Sequence, residues 1–391
     1  MIEMEKIWVN ISDVLFFQEG PGVRNTQYTT SGVKLLNVAN LVDGKVDLST
    51  SDRYISEGEA YGKYSHFLCD VGDFIVASSG IKVEYIDKKM GFIEESMLPL
   101  CMNTSTIRFK VLDEKQLRIR YFMYYLKSQH FKGQLAREIT GSAQLNYGPS
   151  HLKKMVMPLV DISIQDEIVR QMDKVQKIID MRQMELSHLD DLIKARFVEM
   201  FGHPDLNEKG WKMNTFGDIC TVRQGLQIPI SKRLTEYEED CYEYITVQYL
   251  HGGKEREYIK SPKPTVICTK DDILMTRTGN TGMVITNVDG VFHNNFFLID
   301  FDREKYDKDF LVQYLNLDLI QADILRRAGT STIPDLNHGE FYKIRVFEPP
   351  FDLQRQFNDF KRQVDKSKVA AQKMLEEAQT LFNSLMQEYF G

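Results

Sequence analysis

What this chain lacks narrows its class before any motif is read. Its five cysteines (Cys69, Cys101, Cys220, Cys241 and Cys268) are odd in number and never form a CxxC pair. That argues against a disulfide framework or a zinc site, and for a reducing, cytoplasmic setting. No apolar run approaches the ~18 residues of a membrane span. The start, Met1-Ile2-Glu3-Met4-Glu5-Lys6, has no basic region followed by an apolar one, so no secretory signal is expected. HExxH, GxSxG, the P-loop and the dinucleotide glycine fingerprint are all missing, which leaves little support for catalysis or a resident cofactor. A basic excess is missing too. The net charge is −7 with a pI near 5.7, a mild argument against nucleic acid, although the placement of charge matters more than its sum.

Proline and glycine vanish from two stretches, 160–201 and 351–390. In the first, apolar residues recur at Ile168, Met172, Val175, Ile179, Leu186, Leu189, Ile193, Phe197 and Met200, interrupted at Arg182. In the second they recur at Phe357, Phe360, Val364, Ala371, Met374, Ala378, Leu381 or Phe382, and Leu385. Steps of three, four and seven predict coiled-coil seams, and each helix needs an apolar partner that the other can supply. A helix of ~36 residues would be ~54 Å long. Both stretches end in Phe-Gly, at Phe201-Gly202 and Phe390-Gly391, 189 positions apart. Gln165 falls on Gln354 at that offset, Lys154 on Lys343, and Tyr125-Leu126 on Tyr314-Leu315. One unit is therefore used twice.

The segments before the helices are mixed and β-leaning. Val33 to Val38 and Asp73 to Ala77 are short apolar runs bounded by turn residues, and a helix is predicted over 117–137. Trp8 and Trp211 each precede a short strand. The segment 36–41 matches 245–250, and Asp73-Phe74-Ile75 ending at Gly80 matches Asp272-Ile273-Leu274 ending at Gly279. The expected fold is α+β: two mixed α/β domains in tandem pseudo-repeat, separated and followed by long helices that form an antiparallel coiled coil. The expected boundaries are a first domain at 1–157, a spacer helix at 158–205, a second domain at 206–348 and a second spacer helix at 349–391.

Two pairs of loops carry the chemistry. Ser78, Ser79 and Lys82 follow a strand in the first copy; Arg277, Thr278, Asn280 and Thr281 follow its match in the second. Ahead of each long helix lie Arg137, Ser142, Gln144 and Asn146, and then Arg326, Arg327, Thr330, Ser331 and Asn337. Arg, Asn, Gln, Ser and Thr are the side chains that read base edges or hold phosphates. Ordinary polar turns use the same residues, but recurrence at matching places weakens that reading. A duplicated domain on long helices suits a bipartite target, and DNA repeats every ~34–36 Å. A duplicated protein-binding scaffold stays open. So does a self-contained adenine methyltransferase, because Glu348-Pro349-Pro350-Phe351 is similar to the loop with which amino-methyltransferases hold a target amine. Glutamate is the wrong length there, and Pro349-Pro350 reads equally well as the approach to a helix.

In order and duplication, these features resemble the specificity subunit of a type I restriction–modification system. The marks are Pro349-Pro350-Phe351-Asp352-Leu353-Gln354, its degenerate partner from Pro158 to Gln165, the Asp-led strands and the Phe-Gly ends. The resemblance implies two target recognition domains, each reading half of an asymmetric bipartite site in double-stranded DNA. It implies helices that set the spacing and dock two modification (methyltransferase) subunits, joined by restriction (helicase–nuclease) subunits. S-adenosylmethionine, ATP and Mg are then expected on those partners and not on this chain, which would be non-catalytic.

Overall fold

The computed structural model describes residues 5–139, 146–250, 256–329 and 334–391. The chain divides into two units, Met1–Arg182 with Met374–Gly391, and Gln183–Lys373. Two uninterrupted helices, Ile162–Phe201 and Phe351–Phe390, contribute to both. Each has 40 residues, or ~60 Å of helix. No described helix is long and apolar enough to cross a membrane.

Each unit is built on a four-stranded antiparallel sheet and a second sheet, which has three strands in the first unit and four in the second. In the first unit the strand order is Leu15–Glu19, Thr106–Val111, Phe74–Ala77, Met90–Phe92. In the second it is Cys220–Gln224, Phe296–Phe301, Ile273–Thr276, Val284–Ile285. The second sheets share one parallel pair, Val33–Leu36 with Leu100–Met102 and Cys241–Ile245 with Gly290–Phe292. The two short strands that follow or contain the tryptophans, Ile7–Asn10 and Lys212–Thr215, pair antiparallel with Val156–Leu159 and Arg345–Glu348, the strands that lead into the long helices.

The helix predicted over 117–137 is two helices, Ile119–Lys127 and Gln129–Glu138. Ser128 divides them, because its backbone is extended and its Oγ accepts from the amide of Phe131 at 3.2 Å. A serine that satisfies a free helix-start amide favours a new N-terminus over a continuous helix. The second unit makes the same break, between Lys308–Leu315 and Asp318–Ala328.

The joint between each domain and its long helix is the most faithfully repeated feature. Gln165 is buried; its Oε1 accepts from the amide of Arg118 at 2.9 Å, and its Nε2 donates to the carbonyls of Gln116 and Val160, both at 2.8 Å. Gln354 does the same with the amide of Asp307 at 2.8 Å and the carbonyls of Lys305 and Pro349, both at 2.9 Å. One buried amide thus satisfies three backbone groups that the turn would otherwise leave orphaned. The tyrosines recur as well: Tyr125 donates to the carbonyl of Val156 at 2.6 Å, and Tyr314 to that of Arg345 at 2.9 Å.

The helix ends are exchanged between repeats. Phe201, which ends the first long helix, lies 4.9 Å from Phe310 and 5.7 Å from Phe357 between ring centroids, inside the second unit. Phe390, which ends the second helix, lies 5.2 Å from Tyr121 inside the first unit. The Phe-Gly ends are therefore core plugs. In the second unit the helical segments run antiparallel: Phe197 meets Phe357 at 5.3 Å, and further back along the first helix Asp190 meets Lys368, further on along the second. In the first unit Gln171 accepts from the hydroxyl of Tyr389 at 2.6 Å. Ile168, Met172, Val175, Ile179, Ile193, Phe357, Val364, Ala371 and Ala378 are buried, and Leu186, Leu189, Phe360 and Leu385 are half-buried. Met374 is corrected: it is exposed, and Leu375 is buried in its place. Four residues after Ala371, and not three, is the step that continues the seam toward Ala378.

Candidate nucleic-acid interface

At one end of each main sheet, three segments are tied together. In the first unit the amide of Ser78 donates to the carbonyl of Ser105 at 2.8 Å, and the carbonyl of Ser78 accepts from Tyr147 at 3.0 Å. Ser79 forms an antiparallel bridge with Asn146, and its Oγ bonds that of Ser105 at 2.6 Å. In the second unit the amide of Arg277 donates to Asn295 at 2.7 Å, its carbonyl accepts from Leu336 at 2.9 Å, and Thr278 bridges Asp335. The two loops that the sequence singled out separately in each copy are thus one structural element.

The third segment went unnoticed in the sequence. It is the turn 103–105 in the first unit and 293–295 in the second. Each packs against a glycine that could carry no side chain. A Cβ on Gly20 would come within 2.0 Å of the Asn103 carbonyl oxygen, and one on Gly225 within 2.3 Å of that of His293. Gly20 and Gly225 open the loops that follow matching strands, a signal available only once the strands are aligned.

The side chains on this shared frame differ. Ser78 is buried and its hydroxyl finds no partner among the described residues, which removes it as a direct contact. Ser79 is half-buried, while Lys82, Arg137 and Asn146 are exposed. Arg137 stands in the last turn of Gln129–Glu138 and takes no part in the tie between the loops. Glu19 lies nearby, and burial raises its carboxyl above the usual range. The first edge thus offers a hydroxyl at Ser79, an amide at Asn146 and a cation at Lys82.

The second edge is charged and internally paired. Arg277 grips Asp335 through Nε at 3.1 Å and Nη2 at 2.9 Å. Thr281 is buried and donates to the carbonyls of Pro334 and Arg277, so it is a brace and not a surface group. Thr278 is half-buried; Asn280 and Asn337 are exposed, and Asn337 caps the short helix His338–Tyr342 by accepting from Glu340 at 2.9 Å. Arg326 and Arg327 end Asp318–Ala328, where cations suit the helix dipole, and both pair with Asp323. Burial lifts the Asp323 carboxyl, but Arg327 and Arg326 outweigh it and hold it below the usual range. Burial and the charge of Arg277 depress the His338 imidazole below its usual range. Ser142, Gln144, Thr330 and Ser331 lie outside the described residues.

The string Glu348-Pro349-Pro350-Phe351 is structural. Glu348 pairs with Lys212 at 3.1 Å and accepts from Asn214 at 2.7 Å, while the carbonyls of Pro349 and Pro350 accept from Gln354. Its carboxylate is thus committed to the neighbouring strand. Among the described residues, no group of three or more His, Cys, Asp or Glu could hold a metal ion.

The chain is similar to known proteins. The family model described as "Type I restriction modification DNA specificity domain" matches twice, at 25–189 and 208–378. The type I restriction enzyme MjaVIII specificity subunit of Methanocaldococcus jannaschii is 22% identical over 194 residues, covering 48% of this chain. The match spans 44%, less than half, of that relative's length. A crystal structure of a type I restriction–modification system S subunit from M. genitalium superposes with a TM-score of 0.58 at 17% identity, covering 100% of this chain and 97% of the other. A chain from a structure titled for complex assembly and conformational transition of the type I R-M system superposes at 0.56 with 15% identity, covering 98% and 97%.

Proposed function

The chain belongs to the type I restriction–modification DNA specificity family, and we propose that it is the non-catalytic DNA-recognition subunit of such a system. Each unit reads one half of a bipartite, asymmetric site in double-stranded DNA through the loop edge described above. The paired long helices set the separation of the halves and dock two modification subunits. Those partners hold S-adenosylmethionine, and restriction subunits supply the ATP- and Mg-dependent work. The target recognition domains are taken as 1–157 and 206–348, with spacer helices at 158–205 and 349–391.

One observation carries this reading. The same three-segment edge occurs in both units, on domains that join their long helices through the same glutamine, yet it presents unlike side chains. A frame that is copied while its contact groups are not is what reading two different sequences requires. Mild acidity fits, since partner subunits can supply much of the phosphate-binding surface.

The test lengthens one helix. Four residues inserted after Gln183 shift the seam relative to its partner. The full chain, assembled with its partner subunits, is then expected either to prefer a changed gap between unchanged half-sites or to lose assembly. An intact complex with an unchanged gap would contradict the spacing role.

A further inference from the structure

We infer that Arg277 reads a guanine, and that Asp335 is the positioning residue that presents it. The inference rests on the recognition role proposed above for this edge. Asp335 holds the guanidinium from the side, through Nε and Nη2. No described residue bonds Nη1, so the end-on edge of the fork is the part left for a ligand. Two parallel N–H donors on that edge match O6 and N7 of guanine in the major groove, the commonest bidentate base contact.

The surroundings favour a base over a phosphate. The Arg277 side chain is 19% exposed and that of Asp335 48%, so the pair sits at the surface without being sealed. Its net charge is zero, which makes it a poor attractor for a phosphate backbone. Its geometry is fixed from several directions, by the Thr278–Asp335 bridge, by the Leu336 amide on the Arg277 carbonyl, and by Thr281 on Pro334. An arginine already clamped loses less freedom on docking than one that must be ordered. The matching position in the first unit is Ser78, buried and uncharged, so the device belongs to one unit only.

The experiment is selection from randomised duplexes by the full chain assembled with its partner subunits, followed by affinity measurements on the selected site. The wild type is expected to select a guanine in one half. Replacing that guanine by 7-deazaguanine removes N7 and should weaken binding about tenfold, within the ~5- to 150-fold expected for one bidentate pair. Arg277→Ala and Asp335→Asn should both lose the guanine preference while the other half-site and the slope of affinity against salt stay unchanged. The retained half-site reports that the variants are folded, and the 7-deazaguanine arm uses unaltered protein. An unchanged preference in both variants, or indifference to 7-deazaguanine, overturns the inference. A wild type that selects no motif overturns the recognition reading itself, and this inference with it.

Discussion

The two units share a frame and differ in how one strand of it is filled. In the first, Arg108 lies buried at the middle of the sheet, 3.1 Å from buried Asp73, and also donates to the carbonyls of Leu68 and His66 and to Gln18. In the second, the matching residue is Leu298, fully buried and apolar, and Asp272 turns outward to Arg303. The joints of Gln165 and Gln354 are, by contrast, alike bond for bond. Where a helix must be launched at one angle, the chemistry is copied. Where a strand only has to be filled, an ion pair and a leucine are interchangeable, as expected if a buried pair is close to neutral against a well-packed apolar replacement.

The comparison breaks most visibly at the paired aspartates. Asp73→Asn leaves a buried guanidinium without its counter-charge and is expected to cost about 3–5 kcal/mol. Asp272→Asn weakens a turn and a pair whose arginine is exposed and whose aspartate is half-buried, for about 1 kcal/mol. Chemical denaturation of both variants checks this; equal losses would mean that the buried pair has no special standing. At the joints the reverse holds. Gln165→Leu and Gln354→Leu each strand three backbone groups, and each is expected to cost about 2–4 kcal/mol. A difference above ~2 kcal/mol between the two, the whole width of that range, would show that the joints are not equivalent.

Acid should separate the units more gently. His130 in the first unit, and His293 and His338 in the second, are all held below the ordinary imidazole range by burial, helped by Arg137, Arg233 and Arg277 in turn. At a pH between their folded and unfolded values these residues bind fewer protons folded than unfolded. Their contribution is therefore complete above the unfolded value of about 6.5 and declines as pH falls from there toward the folded values. Thermal melts between pH 7.5 and 5.5 should show a larger loss in the second unit. His338→Gln should reduce that loss; no change would remove His338 from the account. The smallest effect concerns thiols. Burial pushes Cys69, Cys220 and Cys268 up to about 12 and Cys101 up to about 11, whereas Cys241 is half-exposed. At pH 8 one thiol of the five should react quickly in the native protein, and it should be lost in Cys241→Ser.

The long helices, their antiparallel partnership and the duplication were legible because they rest on period and order. Pro- and Gly-free stretches, three-and-four spacing and the matched glutamines are all written locally. The errors are local too. Ser128 splits a helix because one side-chain oxygen competes for one amide, and Met374 and Leu375 are both apolar and one position apart, so spacing alone does not separate them. The edge was half legible. Loop composition located Arg277, Asn280, Asn146 and Asn337, but not the Ser78 side chain's burial, the commitment of Arg277 to Asp335, or the turns beside Gly20 and Gly225. Those depend on which strands lie next to one another, and strand neighbours here are far apart in the chain.

The central claim is that one frame is used twice to read two different sequences. It is tested most directly by the DNA motif selected by the full chain assembled with its partner subunits. Two unlike half-sequences across a fixed gap are predicted, because one edge offers a hydroxyl, an amide and a lysine and the other is built on an arginine–aspartate pair. A single continuous motif, or two identical halves, would contradict it.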